Sequence, residues 1–380
     1  MTLKMGYRVP FIVQRELLIK NSYSRTQVKA TLSMDTIHTL SQLLTNSGSQ
    51  YRIFDLGRRI CPIKNTHFSQ VEKGQQPYPY PLQRHAHLAI AYWNQAQQPW
   101  IWFLKFSLDE RGLLKQAEIG NFIKFVLEAM GSRLHQDLSD EQQQKLANNP
   151  YTFKPSDDKM AVFHSQIRAQ LNLPSSQYYE HAQHYFSGDL GWENWQTVGL
   201  QGITDICARL SKEQNSVLLR KALNHLPAQP LYALLGALEH SAPLNDKLAL
   251  RLQEMAMLHI ESHEPDLFLL SALVRALSGA NNALTATLVE RILQSPRLSH
   301  QEILIAIAGR SWHVLSNPLL AETFLLRLAQ TGNQTLFNQL FADLVMLPEL
   351  RMVLLPLLHS SPSIELADAL IRLQQTTKAQ

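Results

Sequence analysis

The residues whose types could bind an anion stand in the stretch YRIFDLGRRICPI, where Asp55, Arg58 and Arg59 surround Gly57. Two guanidinium groups at the end of a strand can hold a carboxylate or a phosphate, because arginine offers planar, bidentate donors. The alternative is an internal ion pair between Asp55 and one arginine, with the other arginine in solvent. The simplest arrangement has one structural arginine and one arginine available to an external anion, such as an acidic side chain of a partner.

A second candidate binding site is the aromatic cluster between residues 176 and 203. Its candidate binding residues are Trp192 and Trp195, because aromatic rings beside the carboxylates Asp189 and Glu193 can stack a sugar or a base. The alternative is a packed junction between two domains, which such clusters form more often. The other aromatic members of the cluster are Tyr178, Tyr179, Tyr185 and Phe186.

Three histidine pairs have spacings that could chelate a metal, and no third ligand is evident near the first of them, His85 with His87. Ordinary surface or packed histidines are the alternative for all three. The chain has no Walker-A loop, no GxGxxG and no GxSxG motif. We therefore predict no catalytic residue, no metal site and no cofactor, and the sequence favours a protein that is not an enzyme. The pairs are His85 with His87, His181 with His184, and His259 with His263.

The elements that position the charged cluster are strands. Runs rich in aromatic and branched residues predict strands over Tyr51–Leu56, Arg84–Trp93 and residues 99–106. Together they predict a small antiparallel sheet of at least three strands. A helical interpretation of His85–Trp93 stays open, since short apolar runs are ambiguous. An amphipathic helix over Leu113–Met130 is expected to cover one face of the sheet.

From about Ser216 onward the pattern is a train of helices. Starts predicted near Asp266, Ser299 and Asn333 lie 33 and 34 residues apart, a spacing typical of stacked helix pairs in an α-solenoid of the HEAT or TPR type. A compact helical bundle is the alternative. Ser299 with Glu302 predicts a capping box. Further starts are predicted near Pro230, Asn245, Asn282, Asn317, Pro348 and Pro362.

These elements predict an α+β fold. A small antiparallel sheet with helices occupies the N-terminal part, and an all-α, α-solenoid-like helical-repeat half follows. In the predicted helix over Pro318–Gln330, Leu325 and Leu328 are expected to be buried between neighbouring helices. The predicted divisions are an extension over 1–33, a sheet domain over 34–150, an aromatic-rich helical junction over 151–210, and a helical-repeat domain over 211–380.

Composition restricts the partners and the location. Residues 1–33 carry six basic residues and one acidic residue, and the rest of the chain is close to neutral, so no broad basic surface for nucleic acid is expected. The first 33 residues resemble a transit peptide in composition. The alternative is an extension before a true start at Met34, where a helix over MDTIHTLSQLLTNS begins. No apolar run reaches the ~20 residues that span a bilayer, and Cys61 and Cys207 form no paired motif. We expect a cytoplasmic protein that does not bind membranes.

Several stretches resemble one known family. The triplet Leu56-Gly57-Arg58 is similar to the LGR motif of a bacterial family of unknown function, domain-of-unknown-function family 3549. The resemblance covers most of residues 35–210 and implies a relation without a mechanism. The other stretches that carry it are PYPYPL (77–82), IWFLKFSLDERGLL (101–114), NPYTFKPSDDKMAVFH (149–164) and YYEHAQHYFSGDLGWENWQTVGLQGI (178–203).

Two functions from different classes follow from these observations. The first is a non-enzymatic adaptor that binds a protein partner on its helical-repeat surface, because a helix train can build an extended groove. The alternative is an enzyme or a binder of small anionic ligands that uses Arg58 and Arg59 in the sheet domain. Nucleic-acid binding ranks last because of the charge distribution.

Overall fold

The computed structural model describes residues 37–94, 99–130, 134, 139–359 and 363–378. Its contacts divide the chain into two compact units, which we call unit 1 (residues 1–57 and 62–155) and unit 2 (residues 58–61 and 156–380). The short loop 58–61, which carries both candidate arginines, therefore groups with the helical part of the chain. The predictions for residues 1–33 and for a start at Met34 lie outside the described residues.

Unit 1 is built on a four-stranded sheet in the order β2-β1-β3-β4. The pairings of β1 with β3 and of β3 with β4 are antiparallel, with Ile53 opposite Ile90 and Leu88 opposite Leu104. The predicted antiparallel sheet is thus confirmed, and His85–Trp93 is a strand and not a helix. The strands are β1 (Gln50–Asp55), β2 (Cys61–Ile63), β3 (His85–Trp93) and β4 (Trp100–Ser107).

One face of the sheet is covered by the helix α3 (Gln116–Met130), as predicted for this segment. Trp102 of β4 packs edge-on against Phe122 of α3 at 5.5 Å between ring centroids, and Phe106 contacts the same ring at 6.1 Å. The outer edge of β4 is protected because residues 151–153 pair with its backbone; Lys105 N–H donates to the Tyr151 carbonyl at 2.7 Å. These contacts bury most of β3 and alternate residues of β4.

Two local details of unit 1 differ from the prediction. The first described helix, α1 (Leu40–Asn46), begins at Leu40, because the Thr39 hydroxyl caps it by accepting the Gln42 N–H. Ile37 and His38, which the sequence placed inside this helix, lie before it. The edge strand β2 and the helix α2 (Asn65–Glu72) were not predicted. Pro62 inside a three-residue strand hides the signal of β2, since proline is depleted in strands except at edges.

Helices make up the rest of the described chain. In unit 2, the side chains of Asn245, Asp266, Asn317 and Asn333 cap helices at four predicted starts. The helices are α4 (Asp140–Ala147), α5 (Asp157–Gln170), α6 (Tyr179–Ser187), α7 (Leu200–Cys207), α8 (Asn215–Ala222), α9 (Ala228–Leu238), α10 (Asp246–Glu261), α11 (Leu267–Ala276), α12 (Asn282–Gln294), α13 (Gln301–Arg310), α14 (Pro318–Gln330), α15 (Gln334–Val345), α16 (Pro348–Leu354) and α17 (Ile364–Lys378).

The capping box predicted at Ser299 and Glu302 is wrong. The helix α13 is capped by His300, whose ring Nδ1 accepts the Glu302 N–H at 3.3 Å, while Ser299 follows a short 3-10 helix. The caps of alternate helices keep a regular spacing of 34 and 33 residues at Asp266, His300 and Asn333.

The helices of unit 2 pack in two rows. Row A consists of α7, α9, α11, α13 and α15, and row B consists of α8, α10, α12, α14 and α17; each helix contacts the next one in its row. The described residues after Ser216 contain no strand, as predicted. Leu325 and Leu328 of α14 are both fully buried, which confirms the prediction for this helix.

Candidate functional site

The turn that leads into the loop 58–61 is tight. A Cβ atom added to Gly57 would lie 3.3 Å from the Asp55 carboxylate and 3.3 Å from Leu82, and the φ angle of Gly57 is not positive. A larger residue at position 57 would crowd these two side chains, so glycine here serves a close approach and not a left-handed backbone. Asp55 itself is buried and accepts a hydrogen bond of 2.6 Å from the Tyr78 hydroxyl.

Arg58 is the most deeply placed of the candidate residues. Its side chain is fully buried, and its Nη2 atom forms an ion pair of 2.5 Å with Asp343 of α15. Nη1 donates to the carbonyl of Ala308, in the last turn of α13, at 3.0 Å. The guanidinium also lies over the Trp312 ring at 5.5 Å. A buried arginine with these partners stabilises the packing of α13 with α15.

The next two residues extend the same pattern. Arg59 Nη1 donates to the carbonyl of Ser278, just past the end of α11, at 2.7 Å. The Ile60 N–H donates to the His240 ring Nδ1, just past the end of α9, at 3.1 Å. The last carbonyl groups of a helix lack partners within the helix, and cations near them are favourable. The loop 58–61 thus binds the C-terminal ends of successive row A helices.

A group of four charged or polar side chains lies at the same helix ends, and we call it the Glu239 cluster (Glu239, His240, Arg275 and Arg310). Glu239 Oε1 accepts from Arg310 Nε at 3.1 Å and Nη2 at 3.0 Å, and Glu239 Oε2 lies 3.2 Å from Arg275 Nε. One carboxylate therefore links α9 to α11 and α13. The Glu239 carboxylate faces the guanidinium groups of Arg275 and Arg310, so the charges of these three groups sum to +1.

His240 is neutral in this cluster. Burial, followed by the charges of Arg310, Lys159 and Arg59, holds its pKa well below the usual value of 6.5. Because Nδ1 accepts the Ile60 N–H, the proton is assigned to Nε2, which lies 3.3 Å from Glu239 Oε1. The neutral ring is needed for the loop contact, since an imidazolium cannot accept a hydrogen bond.

In contrast to the charged Glu239 cluster, three neighbouring helices of row A carry exposed apolar side chains. Each exposes one large apolar side chain: Tyr232 of α9 is 36% exposed, Phe268 of α11 is 62% exposed and Ile305 of α13 is 40% exposed. Tyr232 and Glu239 are seven residues apart, as are Phe268 and Arg275, so each pair shares one helix face. The ion pair of Glu239 with Arg275 places these two faces side by side.

Small residues complete this surface, which we call the row A face (Tyr232, Gly236, Phe268, Arg275, Ile305 and Gly309). Gly236 follows Tyr232 by four residues and Gly309 follows Ile305 by four, and no atom lies within 4 Å of an added Cβ at either glycine. Both glycines therefore border open space. The sequence signal for this face was missed: Tyr232 lies off the apolar stripe of α9, whose buried leucines are Leu231, Leu234, Leu235 and Leu238.

The comparison with known families places the chain. A model of the family described as "Protein of unknown function (DUF3549)" matches residues 35–374. The chain belongs to this family. No curated protein and no solved structure matches it significantly. The DUF3549 match begins within the sheet unit and runs through the helical rows, so it includes the loop 58–61 and the row A face.

The aromatic candidates of this DUF3549 chain have different neighbours from the arginines. Trp192, in the short 3-10 helix Trp192–Thr197, stacks on His225 at 5.3 Å and contacts Tyr185 edge-on at 5.8 Å. The Tyr185 hydroxyl donates to the Trp192 carbonyl at 3.0 Å. Trp195 lies half-buried in the same short helix. These contacts join α6 to the end of α8, and the binding role of both tryptophans stays a prediction.

Histidines of two of the three candidate pairs contact other side chains or each other's rings. His184 Nδ1 lies 3.3 Å from Asp189, and the rings of His85 and His87 are 6.1 Å apart. No group of three potential metal ligands occurs among the described residues. No helix in the described part of the chain combines the length and apolar character that a membrane-spanning helix requires.

Proposed function

We propose that this DUF3549 protein is a non-enzymatic adaptor that binds a protein partner on its row A face. The observation that carries the proposal is that three neighbouring helices of row A, α9, α11 and α13, each expose one large apolar side chain. These side chains are Tyr232, Phe268 and Ile305. Tyrosine, phenylalanine and arginine are enriched where proteins bind each other, and contiguous exposed apolar groups are typical of such surfaces.

The arrangement of the helices supports the same proposal. Each helix contacts the next in its row, and the caps keep a spacing of 33 to 36 residues, as at Asn245 and Asn281. We interpret this packing as an α-solenoid-like array, in which one row of helices presents a continuous surface to a partner. The proposed location is the cytoplasm, where buried thiols such as that of Cys207 stay reduced.

The geometry gives less support to a small anionic ligand at Arg58 and Arg59. The expected arrangement had one arginine available to an external anion, but Arg58 is fully buried and Arg59 is 8% exposed. Both donate to carbonyl groups at helix ends within unit 2. An anion would have to displace these bonds, at a cost of about 1.5–3 kcal/mol for each charged hydrogen bond.

Site-specific photo-crosslinking in the cells that produce the protein tests the proposal. A photoreactive amino acid replaces Phe268 or Ile305 on the row A face, and in the control it replaces Leu258 of α10, which is 65% exposed on row B. We expect the same partner protein in the adducts of positions 268 and 305 and not in those of position 258. Absence of an adduct at both row A positions, or the same adducts at all three, would refute the proposed surface.

A further inference from the structure

We propose that the partner segment held by the row A face carries an acidic side chain, bound by Arg275, between apolar side chains that fill the space above Gly236 and Gly309. This inference rests on the proposed function and specifies the chemistry of its partner. The argument uses the charge distribution of the face, the geometry of Arg275 and the open space beside the two glycines.

The charge on the face is uneven along the helices. At the C-terminal ends of α9, α11 and α13, Glu239 is shared by Arg275 and Arg310, and His240 is neutral, so the ionised groups of the Glu239 cluster sum to +1. At the other end of α11 stands the exposed carboxylate of Asp266, which caps that helix. An acidic group of a partner is therefore attracted to the Arg275 end of the face and repelled from the Asp266 end.

Arg275 has the donors for such a contact. Its Nε faces Glu239, its side chain is 35% exposed, and its Nη1 and Nη2 atoms have no hydrogen bond within the described residues. The two Nη atoms of a guanidinium can donate to both oxygens of one carboxylate. Its charge also acts on Tyr232: burial and then the Asp266 charge raise the pKa of Tyr232, while Arg275 opposes this. The guanidinium belongs to the row A face by position, because Arg275 follows Phe268 by seven residues on the same side of α11.

The apolar groups define what flanks the acidic side chain. The rings of Tyr232 and Phe268 and the side chain of Ile305 stand on three neighbouring helices, while the glycines leave room between them. Two interhelical spacings of roughly 9 Å each give a width of about 18 Å across the face. An extended segment of about six residues spans this width. The occupant is therefore a short protein segment with one carboxylate and apolar neighbours.

Binding of purified full-length protein to two synthetic peptide libraries tests the inference. Both libraries vary apolar residues around a central position, which is Asp or Glu in the first library and Asn or Gln in the second. The variants are R275Q, which removes the cation, and I305D, which adds a negative charge and leaves the Glu239 ion pairs intact. The control is R291Q in α12, where an exposed arginine lies on row B. Circular dichroism checks that each variant is folded.

We expect the wild-type protein and R291Q to bind the acidic library about tenfold more tightly than the amide library, which corresponds to about 1.4 kcal/mol. In R275Q this preference should fall to about one, and I305D should weaken binding to both libraries. Equal binding of both libraries, a preference that survives in R275Q, a loss in R291Q or the absence of any binding would overturn the inference. If the crosslinks at positions 268 and 305 still identify one partner, the proposed function stands and only its acidic specificity fails.

Discussion

The buried arginine of the loop 58–61 allows a quantitative prediction. Replacing Arg58 with Met keeps most of the side-chain volume and removes the charge. The change abolishes the 2.5 Å ion pair with Asp343 and the 3.0 Å bond to the Ala308 carbonyl, and it leaves Asp343 with only 13% of its side chain exposed. Removing one partner of a buried ion pair costs about 3–5 kcal/mol. For a domain of 150–250 residues, this loss lowers Tm by roughly 6–20 °C.

The assay is denaturant unfolding followed by circular dichroism at the helical band, which reports mainly unit 2, because α5 to α17 lie there. The control is Arg291→Ala, an exposed change for which we expect at most about 0.5 kcal/mol. The double variant R58M/D343L removes both charges, and we expect it to be more stable than R58M alone, because the uncompensated carboxylate is gone.

Arg59→Ala extends the same reasoning. The Ser278 carbonyl loses a charged hydrogen bond, so we expect a loss of about 1.5–3 kcal/mol. Replacing either arginine should therefore lower stability, whereas the sequence alone predicted that one of the two changes would affect only partner binding.

A loss of unfolding free energy below about 1 kcal/mol for R58M, or a double variant R58M/D343L less stable than R58M, would refute the role of Arg58 at the helix ends.

Three further predictions concern packing, backbone strain and pH. Leu325→Ala in α14 should cost about 2–5 kcal/mol of unfolding free energy, because Leu325 is fully buried. Leu319 is 75% exposed in the same helix, so Leu319→Ala should cost little. Equal losses of the two variants in denaturant titrations would contradict the packing. Arg84 has φ 60° in the turn between Leu82 and His85 of unit 1, so Arg84→Gly should raise the free energy of unfolding by about 1 kcal/mol. The measurement is denaturant unfolding followed by tryptophan fluorescence, to which Trp93, Trp100 and Trp102 of unit 1 contribute, and a loss of stability would show that the Arg84 side chain contributes more than its backbone strain costs. The pKa of His240 in the folded protein lies well below 6.5, so the stability that its neutral ring contributes is complete above pH 6.5 and is lost as the pH falls through the folded pKa. The difference in unfolding free energy between wild type and His240→Asn should therefore shrink as the pH is lowered. A constant difference would contradict a buried neutral ring.

The strands and helix caps of this chain could be predicted because their causes are local. Aromatic and branched residues in Gln50–Asp55 and His85–Trp93 favour extended backbone. The side chains of Asn245 and Asn317 cap helices by accepting N–H groups two or three residues away. The edge strand Cys61–Ile63 was missed because three residues with a central proline carry no periodic signal.

The sequence by itself determined the fold class and the positions of most helices. Only the tertiary structure decided what the two arginines do. Arg58 and Asp343 are 285 residues apart in the chain, and Arg59 and the Ser278 carbonyl are 219 apart. Besides the Asp343 carboxylate, the acceptors are the carbonyl groups of Ala308 and Ser278 at helix ends, which every helix has, so no side chain marks these two in the sequence. The row A face was hidden for a related reason: the exposure of Tyr232, Phe268 and Ile305 depends on which sides of their helices the neighbouring helices cover.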